Sequence, residues 1–282
     1  MNELNFEDLD RFLLSRSKII HQVWFGIIPN RRDAKKAYKS LQKYRDSWLT
    51  QNPKWVYFCW NLKNCRELIK SFYPQHIELY DSYSYHIQRC DTVRYFILHR
   101  YGGLYADMDY FCNASWDKVI EEYPKDIYLV ETPNKMYRDI HVSNSLMYSE
   151  PRHVFWSKLF IELEIHKTVP IYYSKHLTIM FTTGPGILNR VFNRYRTSYK
   201  LNYYPYKLFH PYGISHSKDP FSKIGDIYAY HMQKGCWHAN DTSVINFLYQ
   251  EYKVLLISIL VLVLPSLVYY LLHKKLISQI RS

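Results

Sequence analysis

The chain has no pair of cysteines spaced C-x-x-C: Cys59, Cys65, Cys90, Cys112 and Cys236 are scattered and odd in number. That excludes a zinc site built on paired thiols and gives no disulfide framework, so the thiols read as small core side chains. The N-terminus, MNELNFEDLDRFLLSRSK, lacks an apolar run long enough for a cleaved signal peptide. No internal repeat, low-complexity linker, basic stripe or nucleic-acid recognition motif is present. The excess of 37 Lys and Arg over 25 Asp and Glu, a net charge of +12, is therefore dispersed and does not point to DNA or RNA as a partner. It points instead to an anionic partner such as a nucleoside diphosphate or a phospholipid surface.

What the chain does have is one long apolar run. Val254 to Leu272 reads VLLISILVLVLPSLVYYLL without a charge, flanked by Lys253 and by His273, Lys274 and Lys275. Such a stretch matches the thickness of a bilayer, and Tyr269 and Tyr270 suit its interface. The expected organisation is an N-terminal extension at 1–17, one domain at 18–248, a transmembrane helix at 253–272 and a short basic tail at 273–282. At 282 residues there is material for one sizeable core. The 29 Tyr, in an 18% aromatic fraction, suit stacking on sugars and bases, although codon bias would also produce them.

Strand and helix signals alternate through the first half. KIIHQVWF (18–25) is a short β-branched run that stops at Gly26 and Pro29. Ala34, Ala37, Leu41, Tyr44 and Trp48 recur at helical spacing up to Asn52-Pro53. WVYFCW (55–60) predicts a second strand, and Leu62, Cys65, Leu68, Ile69 and Phe72 a helix that closes at Pro74. This alternation predicts a parallel, doubly wound sheet. Further strands are expected at 126–131 and 145–149, with helices at 151–164 and from Ile187.

A helix at 85–101 leads into Gly102-Gly103, a short apolar strand, and two carboxylates one residue apart, Asp107 and Asp109. Residues i and i+2 point to opposite sides of a regular strand. These two can share a hard divalent cation only if the strand ends and bends there, and strand ends are where α/β sheets hold ligands. On the preceding helix, Asp91 and Arg94 are one turn apart, either as a surface ion pair or as a polar face beside the metal. Glu131 and Asp139, the next acids, read as surface or sheet-edge residues. A phosphatase nucleophile in D-x-D-x-T/V is disfavoured because Phe111 stands where Thr or Val would be.

K-I-I-H-Q-V-W-F at 18–25, D-x-x-R-Y-x-I-L-x-x-Y-G-G-x-Y-x-D-x-D at 91–109, S-N-S-L-M at 143–147, T-G-P-G at 183–186, and His231, Gly235 and Trp237 together resemble glycosyltransferase family 32. These are D-x-D sugar transferases that include inositol phosphorylceramide mannosyltransferases and an initiating α-1,6-mannosyltransferase. The resemblance implies an α/β fold of the GT-A type, with a Rossmann-like mixed sheet flanked by helices and, here, one C-terminal transmembrane helix. It also implies Mn²⁺ or Mg²⁺, a nucleotide-sugar donor with GDP-mannose favoured over a UDP-sugar, and transfer with retention to a glycolipid or glycan acceptor. Such an enzyme would work at a Golgi or ER membrane. Carried over by residue, Trp24 lies near the nucleobase, and Asp91, Arg94, Tyr95, Gly102 and Gly103 belong to the donor site. Asp107 and Asp109 hold the cation with His231, Arg94 joins the two aspartates in catalysis, and His231 and Trp237 close over the diphosphate. The competing reading is a carbohydrate-binding relative without activity. Asn113-Ala114-Ser115 and Asn240-Asp241-Thr242 are formal glycosylation sequons.

Overall fold

The computed structural model of the chain describes residues 5–26, 31–124, 126–132, 140–170, 172–209 and 227–232. The expected transmembrane helix, Trp237, Asp139 and the Asn240 sequon lie outside the described residues. Among the described residues, no helix is long and apolar enough to cross a membrane. Contacts divide the chain into a unit of residues 1–173 and 177–235 and a second unit, of which only Ser174–His176 are described.

The helices are α1 (Phe6–Leu14), α2 (Arg31–Gln51), α3 (Leu62–Phe72), α4 (Ile77–Ser82), α5 (His86–Tyr101), α6 (Trp116–Glu122), α7 (Val154–Ile165), α8 (Lys175–Thr182), α9 (Pro185–Tyr195) and α10 (Tyr206–Phe209). The strands are β1 (Ile19–Val23), β2 (Val56–Trp60), β3 (Gly103–Ala106), β4 (Tyr110–Cys112), β5 (Ile127–Glu131), β6 (Val142–Ser149), β7 (Asn202–Tyr204) and β8 (Ala229–His231). Six strands form one sheet in the order β2-β1-β3-β6-β5-β7, and β4 pairs with β8 in a separate ribbon.

The sheet is mixed. β1 runs parallel to β2 and β3, as the alternation of strands and helices predicts. β6 then lies antiparallel to both β3 and β5, which makes the sheet mixed, as the family resemblance implies, where the alternation of elements alone predicts a parallel one. The physical reason is the length of the connection: β5 pairs with its sequence neighbour β6, and the stretch 132–141 between them is shorter than the dozen or so residues that a parallel crossover takes. α4, α6 and α8 are also absent from the sequence reading, being too short to show a period. α7 starts at Val154 rather than at Pro151, with the His153 ring accepting from Phe155 N–H at 3.2 Å. α9 starts at Pro185, where the missing N–H costs nothing. The expected extension at 1–17 contributes α1, whose Leu9 and Leu13 enter the main core and whose Asp10 receives Arg100 at 2.6 Å.

The core packs aromatic residues on both faces of the sheet. Phe96 and Phe160 stack at 4.0 Å on one side. Trp48, Trp116 and Tyr204 are fully buried on the other, each such side chain contributing on the order of 2–3 kcal/mol by burial. α5 is buried over most of its circumference, and its polar residues Gln88, Asp91 and Arg94 are inside with the apolar ones. That inward polar face sets up the site below.

The double glycine makes this packing possible. Gly102 and Gly103 have φ of +65° and +83°, and a Cβ on Gly103 would stand 2.5 Å from the Ile19 carbonyl oxygen. Gly103→Ala is expected to cost about 3 kcal/mol or more, seen as a fall in the thermal midpoint. The Gly102 carbonyl accepts from His21 Nε2 at 3.0 Å, while Trp60 Nε1 donates to His21 Nδ1 at 3.1 Å. Both partners fix the neutral Nε2–H tautomer, and burial pulls the His21 pKa down to about 3, the Gly102 bond opposing. Between pH 6.5 and 3 the unfolded chain therefore binds a proton that the folded chain refuses, so the His21 contribution is complete above pH 6.5 and is lost as pH falls. Denaturant unfolding at pH 4.5 should show about 3 kcal/mol of His21-dependent loss relative to pH 7, and the pH slope should flatten in His21→Gln.

Candidate functional site

β3 ends at Ala106, and the chain turns at once. Tyr110 N–H donates to the Asp107 carbonyl at 3.1 Å, closing a turn over Asp107-Met108-Asp109. This bend brings two alternate residues to one side, as sharing an ion requires. Met108 points into a small apolar cluster with Leu41 and Tyr44, against which Trp24 and Met232 also pack. The ribbon supplies the third group: Tyr110 pairs in register with His231, their rings stack at 4.6 Å, and Met232 N–H donates to the Asp109 carbonyl at 3.0 Å. An oxygen of Asp107, an oxygen of Asp109 and a ring nitrogen of His231 lie within 4.8 Å of one another.

Asp107 is held from behind. Its Oδ1 accepts from Arg94 Nη1 at 2.9 Å and from the Tyr105 hydroxyl at 2.8 Å, and its carbonyl accepts from Gln22 Nε2 at 3.1 Å. Arg94 is spread over four acceptors. Nε reaches the Cys90 carbonyl at 3.1 Å, Nη1 also reaches the Asn144 carbonyl at 2.8 Å, and Nη2 meets Asp91 Oδ1 at 2.9 Å. The guanidinium also lies 4.6 Å from the Tyr105 ring centroid. Asp91 in turn accepts from Asn144 Nδ2 at 3.0 Å and from the Thr183 hydroxyl at 3.4 Å. Asn144 further donates to the Tyr95 hydroxyl at 3.1 Å, and Tyr95 donates to the Thr183 carbonyl at 2.8 Å.

The sequence-predicted residues thus separate into two layers. Asp107, Asp109 and His231 converge, and Trp24 lies in the apolar cluster that holds Met108. Asp91, Arg94 and Tyr95 are only 5%, 3% and 0% exposed, so they brace the site from beneath and their polar groups are spent on protein partners. Gly102 and Gly103 lie at the other end of β3 from the carboxylates, and both are explained by packing against Pro151 and Ile19. The pair Asp91–Arg94 is buried, not the surface ion pair that its spacing also allowed. Glu131 ends β5 and accepts from Tyr206 N–H at 3.1 Å, in keeping with a sheet-edge residue. Asn113 donates its side-chain amide to the Ile227 carbonyl at 2.9 Å, a bond that a glycan on that nitrogen would displace. Gln22, Tyr105, Asn144 and Thr183 received no role from the sequence, although each sits inside a stretch that carries a motif.

The charges are unbalanced without a cation. Burial pushes the Asp91 carboxyl up to about 6, with Arg94 opposing and Asp107 adding to the rise. Burial raises Asp107 as well, with Arg94 and His231 pulling it back. Burial alone would strip the His231 proton, but Asp109, 2.9 Å from Nε2, and Asp107 outweigh it and hold the ring's pKa above its ordinary value. Two carboxylate oxygens and an imidazole nitrogen form a mixed O,O,N donor set that suits a small divalent cation, which would take the place of the His231 proton. Tyr105→Phe, which removes one bond to Asp107, should weaken Mn²⁺ binding about tenfold, and Asp109→Asn should weaken it further. Calorimetric titration with Mn²⁺ checks both.

Residues 39–126 match the family described as "Glycosyltransferase sugar-binding region containing DXD motif". Inositol phosphoceramide mannosyltransferase 2 of Schizosaccharomyces pombe is 28% identical over 81% of this chain and 60% of its own length. Inositol phosphoceramide mannosyltransferase 3 of the same yeast is 32% identical over 64% of this chain and 45% of the relative. The mannosyl phosphorylinositol ceramide synthase CSH1 of Saccharomyces cerevisiae is 32% identical over 64% and 43%. The chain therefore spans between two fifths and three fifths of the length of these relatives. The chain is similar to the inositol phosphoceramide mannosyltransferases, and the stretch that matches the DXD-containing sugar-binding region of glycosyltransferases includes Asp91, Arg94, Asp107 and Asp109.

Proposed function

We propose that the chain is a metal-dependent, retaining hexosyltransferase of the GT-A type that moves mannose from GDP-mannose to a glycolipid such as inositol phosphoceramide. The observation that carries this reading is the convergence of Asp107, Asp109 and His231 at a bent strand end, with Asp107 clamped by Arg94 and Tyr105. In it, Asp107, Asp109 and His231 would hold Mn²⁺ or Mg²⁺. When bound, the cation supplies positive charge to the two phosphates of the leaving nucleoside diphosphate.

The protein's own groups do the remaining work. Arg94 fixes the direction in which Asp107 presents its carboxylate, and Asp91 and Asn144 keep that guanidinium from turning. Trp24 offers a flat ring, only partly buried, beside the Met108 cluster, which suits stacking on a nucleobase. Donors aimed at a leaving phosphate act where negative charge grows, and such contacts contribute roughly 3 to 4 kcal/mol in other enzymes; Trp237 is assigned that role by the resemblance. We infer attack on the same face as the departing phosphate rather than a covalent intermediate on a protein carboxylate, a preference that follows from the family resemblance. We further propose one domain at 18–248, to which α1 adds, and attachment to a Golgi or ER membrane through residues 253–272.

A donor screen tests the proposal. The detergent-solubilised chain is incubated with GDP-mannose or with UDP-glucose, UDP-galactose and UDP-N-acetylglucosamine, with and without Mn²⁺, and released nucleotide is measured. Turnover of GDP-mannose that needs Mn²⁺ and falls by at least about a hundredfold in Asp109→Ala is the expected result. Preference for a UDP-sugar would remove the mannosyl assignment, and absence of any nucleotide release would favour a binding protein.

A further inference from the structure

Helix α7 is built unlike a surface helix. Its sequence, VFWSKLFIELEI, is apolar nearly all round, a composition suited to a helix that is covered on every side. One side is covered: Phe155, Trp156, Leu159, Phe160 and Leu163 are buried. The other is open, with Val154, Ile161 and Ile165 at 43%, 53% and 62% exposure. Steps of seven and four residues put these three on a single stripe, and Lys158 falls on the same stripe.

Cations border that stripe. Lys158 lies 5.9 Å from the Tyr195 ring centroid, and Lys167 follows the helix end with its side chain more than half exposed. α9 packs alongside α7. From it, Arg190 meets His166 and Arg194 meets Glu162. Of the acids, Glu162 is buried, and Glu164 bonds to the His76 ring at 2.9 Å and lies 3.9 Å from Lys167 Nζ.

We propose that this face docks on an anionic lipid bilayer, with Ile161 and Ile165 seated among the outer ends of the acyl chains and Lys158, Lys167, Arg190 and Arg194 against the headgroups. Apolar side chains ringed by Lys and Arg are what an interfacial helix presents to lipid. A second copy of the chain fits poorly, because its cationic border would meet the same border. The inference concerns where the domain sits and is independent of whether it transfers sugar. It also adds to the C-terminal apolar run, since a domain tethered only by its end would leave the stripe in water.

Photocrosslinking of the full chain in vesicles tests the docking. One variant carries p-benzoylphenylalanine in place of Ile161. A control carries it in place of Leu49, an exposed apolar residue of α2, a helix that packs against a different part of the core. Both are reconstituted in phosphatidylcholine with and without phosphatidylserine and irradiated, and adducts are read by mass spectrometry. Lipid adducts at position 161 and not at 49, several-fold more abundant with phosphatidylserine and reduced by high salt, are expected. Equal labelling at both positions, no lipid adduct at 161, or a crosslink to a second copy or to the chain's own C-terminal region would overturn the proposal. With p-benzoylphenylalanine in place of Val154, which lies on the same stripe at 43% exposure, Ile161→Glu combined with Ile165→Glu should keep the thermal midpoint and lower the lipid adducts several-fold. Unchanged adducts count against docking.

Discussion

The Arg94 guanidinium, buried between Asp91 and Asp107, is the interaction on which the rest of the site depends. A buried cation is tolerable only when its donors are matched, and this one is matched by two carboxylates and two backbone carbonyls. The arrangement fixes three elements at once: α5 through Arg94 itself, the end of β3 through Asp107, and β6 through the Asn144 carbonyl. Removing the guanidinium would leave the buried Asp91 carboxylate and the half-buried Asp107 carboxylate without their shared cation. The same group therefore stabilises the junction of the elements and aims the carboxylate at the site.

Charge explains why the two layers are stacked in this order. The lower layer is nearly balanced, with Asp91 and Arg94 sharing acceptors and donors. The upper layer has two carboxylates against one imidazole, and burial makes that surplus expensive. A hydrogen-bonded shell that is complete below and unbalanced above confines the demand for positive charge to the opening between Asp107, Asp109 and His231. The Tyr105 hydroxyl and the Gln22 amide, neutral donors to Asp107, steer without cancelling that demand.

The sequence shows those parts of the fold whose physics is local. β1, β2, α3 and α5 fall within a residue or two of their sequence bounds, because periodicity, Pro74 and the double glycine mark their ends. The bend at Asp107–Asp109 is likewise legible, because two carboxylates at i and i+2 can share an ion in no other way. Spacing tells that Asp91 and Arg94 touch, but it does not tell whether they face water or the core. That depends on β6 and the Thr183 loop closing over α5 from far along the chain. The antiparallel placement of β6 is hidden for the same reason: a short strand reads alike in either direction. Gln22 and Tyr105 were inside recognised stretches and still unreadable, since a polar residue on a buried strand shows its purpose only through the partner opposite.

The β4–β8 ribbon joins Asp109 to a histidine 122 positions away in the chain. An ion shared across that gap would also be a rivet, fastening β8 to the end of β3. Its hold would grow with the free concentration of the ion, because binding would favour only the closed arrangement. Protection of the Ala229–His231 backbone against hydrogen exchange would then follow the supply of divalent ions, so the proposed transfer and a local melting equilibrium would answer to one variable.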